Sequence, residues 1–91
     1  MKLLIVIPAL NEEDSIQGII ERCIAAKDEI KTYSPVTEVD ITVVSDGSTD
    51  RTVERARQFG ERIKLIVFPK NRGYGAAIKE AWRQSDAFSG F

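Results

Sequence analysis

The sequence predicts an α/β fold in three layers, with a parallel sheet between helices. Two observations predict it. Short continuous apolar runs rich in β-branched residues recur along the chain, and each is followed by a stretch with helical apolar spacing. The order reads β-α-β-α-β-α.

The first run, Lys2–Ile7, has no polar alternation, which suits a strand covered on both faces; Pro8 is expected to end it. A helix is expected over about Glu12–Lys31, where Ile16, Ile19, Ile20, Cys23, Ile24 and Ile30 form one stripe. Asn11 reads as its cap, and Glu12, Glu13 and Asp14 suit the positive end of its dipole. Tyr33-Ser34-Pro35 reads as a loop. The second strand is expected over Val39–Val44, followed by a helix over about Arg51–Phe59 with Val53, Ala56 and Phe59 inward and Gly60 at its C-cap. Lys64–Phe68 is the third strand. Tyr74–Gln84 is the third helix, with Ala77, Ile78, Ala81 and Trp82 inward. Right-handed crossovers turn this order into a three-strand parallel, Rossmann-like unit.

Composition narrows the function. In 91 residues, 13 Lys and Arg against 14 Asp and Glu give a net charge of −1, leaving no basic excess to neutralise a nucleic acid. No apolar run approaches the roughly 18 residues of a membrane span. Five apolar residues between Lys2 and Pro8 are too few for a secretory signal, and one cysteine, Cys23, reads as a core filler. A cytoplasmic location is the expectation.

In open parallel sheets ligands sit beyond the carboxyl ends of the strands. Three loops leave those ends, and their chemistry differs. Pro8-Ala9-Leu10-Asn11-Glu12-Glu13 lacks the GxGxxG turn, and its acids would repel a phosphate; a dinucleotide-binding domain is therefore disfavoured. Ser45-Asp46-Gly47-Ser48-Thr49-Asp50-Arg51-Thr52 places Asp46 at the strand end, where its carboxylate accepts hydrogen bonds from a base or sugar or helps hold a cation. Gly47 permits a sharp turn or close ligand approach, and Thr49 and Asp50 read as helix caps. Lys70-Asn71-Arg72-Gly73-Tyr74-Gly75 is the loop suited to a phosphate, through backbone N–H groups and the Lys70 or Arg72 charge. An acidic loop beside a basic, glycine-rich one implies a ligand with a hydrogen-bond-donating ring and a phosphate, a description that a nucleoside diphosphate fits. A response-regulator-like domain would need an Asp after the third strand, where Pro69 stands.

Ile7–Glu13, Val43–Thr52 and Asn71–Ala77 resemble, in order, three motifs of family 2 glycosyltransferases, with polyprenyl- or dolichyl-phosphate sugar transferases the nearest in look. The resemblance runs from residue 3 to about 83 and implies the front half of a GT-A fold. It implies an inverting transfer from a UDP- or GDP-linked sugar to a lipid-phosphate or saccharide acceptor, with Mg²⁺ or Mn²⁺ on the diphosphate. It further implies that Pro8, Ala9 and Asn11 line the nucleoside pocket with Glu13 at its margin. Asp46, beside Gly47, matches the acid that contacts the base, and Asn71, Arg72 and Gly73 match the turn that closes on base and diphosphate.

Two departures stand out. Ser45 replaces an Asp common in the family, and the Asp-x-Asp metal motif at the end of a fourth strand is absent, as are the later catalytic base and acceptor region. Asp86 alone cannot replace a chelating pair. The expectation is thus residues 1–91 as the nucleotide-sugar-binding N-terminal portion of a truncated transferase domain, with neither catalytic residue nor metal ligand of its own and inactive in isolation. In the family the fourth strand lies beside the first; without it, Leu3–Ile7 is an apolar edge expected to pair two copies into a homodimer. A cytoplasmic membrane face is the family's usual place of work. A non-catalytic binding or scaffolding module is the alternative.

Overall fold

The computed structural model describes residues 2–84; Asp86 lies outside them. The elements are β1 (Lys2–Ala9), α1 (Ile16–Tyr33), β2 (Glu38–Asp46), α2 (Thr52–Arg57), a single 3₁₀ turn (Gly60–Arg62), β3 (Lys64–Phe68) and α3 (Tyr74–Gln84). The sheet runs β1-β2-β3 with both pairings parallel, in a register that sets Ile7 beside Val43 and Val43 beside Leu65. This is the expected three-layer arrangement.

Alternation along β2 builds the two outer layers. Ile41 and Val43 face a core with Ile7, Ala9, Ile16, Ile20, Ala56 and Phe59, under α1 and α2. Val44 faces the opposite core, with Ile66, Phe68, Ala77 and Ala81, under α3. Ile16 and Ile20 are fully buried, each worth about 1.5–3 kcal/mol of apolar transfer. The parity carries through to the strand's end: Ser45 falls on the α1/α2 side and Asp46 on the α3 side.

Several boundaries differ from expectation, each for a local reason. β1 runs through Pro8 to Ala9, because an edge strand tolerates a residue without an N–H. β2 likewise extends at both ends, to Glu38 and Asp46. α1 begins at Ile16 rather than Glu12, with Ser15 as its N-cap. The chain first makes a tight turn in which Ser15 N and Ile16 N both donate to Glu12 O, so none of the three acids sits in the first helical turn. Asn11 does not cap; it takes a left-handed backbone, φ 52°, a region that asparagine tolerates better than most residues. α2 is shorter than expected: it ends at Arg57 with Gln58 as its C-cap, and Gly60, at φ 58°, opens the 3₁₀ turn. Val53 is only half-buried, and Thr52 is the buried residue at the start of α2. On α3, Ala77 and Ala81 are buried, but Ile78 and Trp82 are 39% and 42% exposed and follow exposed Tyr74 at one-turn intervals. The small residues face the sheet because they let the helix approach it closely.

Candidate functional site

The carboxyl ends of β1 and β2, and the loop after β3, converge on one cleft of about 300 Å³ lined by Pro8, Ala9, Leu10, Glu12, Asp46, Asn71, Gly73 and Tyr74. Five expected residues therefore meet there: Pro8, Ala9, Asp46, Asn71 and Gly73. Asn11, Glu13, Gly47 and Arg72 do not line it; they shape the loops behind it. Leu10, Glu12 and Tyr74 are lining residues that the sequence reading did not assign. The signal for Tyr74 was available, an aromatic residue between two glycines at the ligand-binding edge of a sheet. A second cavity, about 220 Å³, lies at the opposite end of the sheet among Lys27, Asp40, Arg62 and Lys64 and touches none of the three loops.

Asp46 is almost wholly buried. Arg72 N donates to its Oδ1 at 2.6 Å and Gly73 N to its Oδ2 at 3.0 Å. Two backbone amides on one carboxylate are charge-assisted bonds, stronger than neutral ones. They also correct one expectation. These two amides of the glycine-rich turn point at Asp46, so they are not presented to a phosphate. Gly73 N is further shared with Asn71 Oδ1 at 3.1 Å, and Gly73 takes φ 92°, a backbone region that glycine enters freely. The Arg72 guanidinium lies over the Phe68 ring, 4.5 Å from its centre. Each Asp46 oxygen retains a second acceptor lone pair for a ligand N–H.

The first loop is held by the second. Three successive amides donate to three side chains: Asn11 N to Ser48 Oγ at 3.1 Å, Glu12 N to Thr52 Oγ1 at 2.7 Å, and Glu13 N to Asp50 Oδ2 at 3.2 Å. Asn11 returns the contact, its Oδ1 accepting from Thr49 N at 2.8 Å. Thr49 is therefore a bridge to the first loop rather than a cap. Asp50 holds the start of α2 through Thr52 N at 2.9 Å, and the Thr52 hydroxyl donates to the same Oδ1. Burial pushes the Asp50 carboxyl up, but the Thr52 hydroxyl and the amides of Thr52, Glu13 and Asp50 itself outweigh it and hold the group below the ordinary value.

Ser45 Oγ is buried without a hydrogen-bond partner. Among the described residues, no group of three or more His, Cys, Asp or Glu is placed to hold a metal ion, and no helix is long and apolar enough to cross a membrane.

The glycosyl transferase family 2 model matches residues 4–87. Dolichyl-phosphate beta-glucosyltransferase of Drosophila melanogaster is 30% identical over 84 residues, which cover 87% of this chain and 26% of that protein. Undecaprenyl-phosphate 4-deoxy-4-formamido-L-arabinose transferase of Edwardsiella ictaluri is 38% identical over 79 residues, 81% of this chain and 22% of that protein. Among solved structures, glucosyl-3-phosphoglycerate synthase from Mycobacterium tuberculosis, in complex with uridine diphosphate, matches with a TM-score of 0.64 at 26% identity, over 93% of this chain and 30% of that one. The chain spans about a quarter of the length of these relatives.

Proposed function

The chain belongs to glycosyl transferase family 2, and from that premise we propose that residues 1–91 are the nucleotide-sugar-binding N-terminal portion of a GT-A transferase domain. The whole domain moves a sugar, with inversion, from a nucleotide sugar to a lipid-phosphate or saccharide acceptor. The observation that carries the reading is the cleft itself: its buried acid, Asp46, lies at the end of the central strand between the family's first and third motifs. The UDP carried by the structural relative supports a uridine nucleotide as the ligand.

In this reading the nucleoside lies against Pro8 and Ala9, and Asp46 accepts a base N–H while its other lone pairs hold the third loop. Asn71 and Gly73 close the far side. Asn11, Glu13, Gly47 and Arg72 act through the loops they shape. The Mg²⁺ or Mn²⁺ that the family resemblance implies finds no ligand set among the described residues, where no three His, Cys, Asp or Glu side chains converge. No step of the proposal runs through it.

The reading extends to a homodimer formed through the outer edge of β1, where Leu3 is exposed, and to a cytoplasmic site of action at the membrane face that presents a lipid-phosphate acceptor. Light scattering of a concentrated solution tests the first; a monomer removes it.

NMR titration of the isotope-labelled chain with UDP, then GDP, with and without Mg²⁺, tests the main reading. Saturable shifts are expected at Ala9, Asp46, Asn71 and Gly73, stronger for one base than the other, and lost in Asp46→Asn. A dispersed spectrum that neither nucleotide moves overturns it and leaves the scaffolding-module reading.

A further inference from the structure

The residues of the second loop that never touch the cleft are the ones that fix its first wall. From Asp46 onward, alternate side chains divide between two neighbours. Asp46 binds the third loop through Arg72 N and Gly73 N. Ser48, Asp50 and Thr52 bind the first loop through the amides of Asn11, Glu12 and Glu13. Within this set Asp50 and Thr52 are coupled to each other, with Thr52 fully buried and Asp50 half-buried. The Thr52 hydroxyl accepts from Glu12 N and donates to Asp50 Oδ1, while the other Asp50 oxygen accepts from Glu13 N. The pair is a two-residue relay. The hydroxyl has one proton to donate, and Asp50 takes it, so its oxygen lone pairs are left facing the Glu12 amide.

The consequence reaches the cleft through the backbone. Glu12 lines the cleft, and Glu12 O receives both amides that start α1. Asn11, beside it, is held in a left-handed conformation that its own propensity does not enforce. The path from Pro8 and Ala9 to α1 is therefore set by acceptors on another loop.

We propose that Asp50 and Thr52 are positioning residues that hold the first loop in its nucleotide-binding shape, an inference that rests on the nucleotide-binding reading above. They contact no ligand; they act through the amides of Glu12 and Glu13.

The test compares Thr52→Val, which keeps the shape and removes the hydroxyl, with Thr52→Ser, which keeps the hydroxyl and removes the methyl group. UDP affinity and amide hydrogen exchange are measured on the full chain. Thr52→Val is expected to weaken UDP binding by about 5–20-fold, the equivalent of one to two lost hydrogen bonds. It should also speed exchange at Asn11, Glu12 and Glu13 while the amides of β3 and α3 keep their protection. Thr52→Ser is expected to bind UDP within about twofold of the unaltered chain, whatever it costs in melting temperature, because the hydroxyl relay survives. A merely structural threonine would give the opposite order, with Ser the more damaging.

Asp50→Asn repeats the test should Thr52→Val fail to fold. UDP binding unchanged in Thr52→Val or Asp50→Asn overturns the proposal alone. An unaltered chain that binds no UDP overturns the nucleotide reading and this proposal with it.

Discussion

Gly47 and Asn71 lie so close that a Cβ on Gly47 would come 2.5 Å from the Asn71 amide nitrogen and 2.8 Å from the Lys70 carbonyl carbon. Both are backbone atoms, which cannot swing aside as a side-chain end can. Gly47 also takes φ 79°. Gly47→Ala therefore has to move the third loop away from Asp46 or strain the second. A loss of about 1–3 kcal/mol in urea unfolding is expected, together with altered amide shifts at Asn71, Arg72 and Gly73. A variant that melts like the original would mean that the two loops are not packed as described.

Gly18 offers the reverse case. It lies within α1, a Cβ there would meet nothing within 4 Å, and its φ is not positive. Its native conformation is one that alanine adopts freely. Gly18→Ala is expected to stabilise the chain by about 0.5–1 kcal/mol, through helix propensity and a less flexible unfolded state. A higher denaturation midpoint with unchanged UDP binding is the outcome to look for.

These two glycines mark what the sequence makes legible. The apolar runs place all three strands, and β3 has the expected bounds, because a short continuous Val/Ile/Leu run bounded by turn residues marks a strand; burial on both faces holds for the central β2, while Leu3 and Val67 on the edge strands are exposed. Asp46 at a strand end is readable for the same reason. What cannot be read is the traffic between loops. Asn11 followed by three acids has the form of a helix start, and only the presence of Ser48, Asp50 and Thr52 across the gap draws those amides, and the Thr49 amide the Asn11 side chain, away from local capping. The partners lie about forty positions apart, beyond any local pattern. The α3 face fails differently: Ile78 and Trp82 have helical spacing from Tyr74, but hydrophobicity alone does not say that alanines are the residues able to approach the sheet.

Asp46→Asn separates charge from shape. The amide keeps one oxygen and replaces the other with a donor, so Arg72 N or Gly73 N must face an N–H instead of an acceptor. A buried amide left unpaired costs about 1–3 kcal/mol. The expected result is faster hydrogen exchange at Arg72 and Gly73, unchanged exchange at Glu12 and Glu13, and loss of nucleotide binding. Perturbation spread evenly over both loops would contradict the separate anchoring of each.

Acid should loosen the first loop before the rest of the sheet. The Asp50 carboxyl is held below the ordinary value: burial acts upward, and the Thr52 hydroxyl and surrounding amides outweigh it. Glu80 is also lowered, by its hydrogen bonds to Arg83 and Gln84. For a group lowered on folding, the unfolded chain binds the proton more readily, so stability rises with pH across the interval between the two pKa values. The contribution of Asp50 is present in full above the unfolded value, about 3.9, and is lost as pH falls through the lower folded value. Melting temperature recorded from about pH 6 down to about pH 2.5 should therefore fall mainly in the acid part of that range. Asp50→Asn should flatten the fall, and Thr52→Val should flatten it in part, since the hydroxyl is one of the groups that lower Asp50. In the unaltered chain, the amides of Glu12 and Glu13 should lose protection at a higher pH than those of β2, because their acceptors are the side chains that protonate or depend on the one that does. A melting temperature that falls identically in Asp50→Asn would show that the carboxylate does not hold the loop.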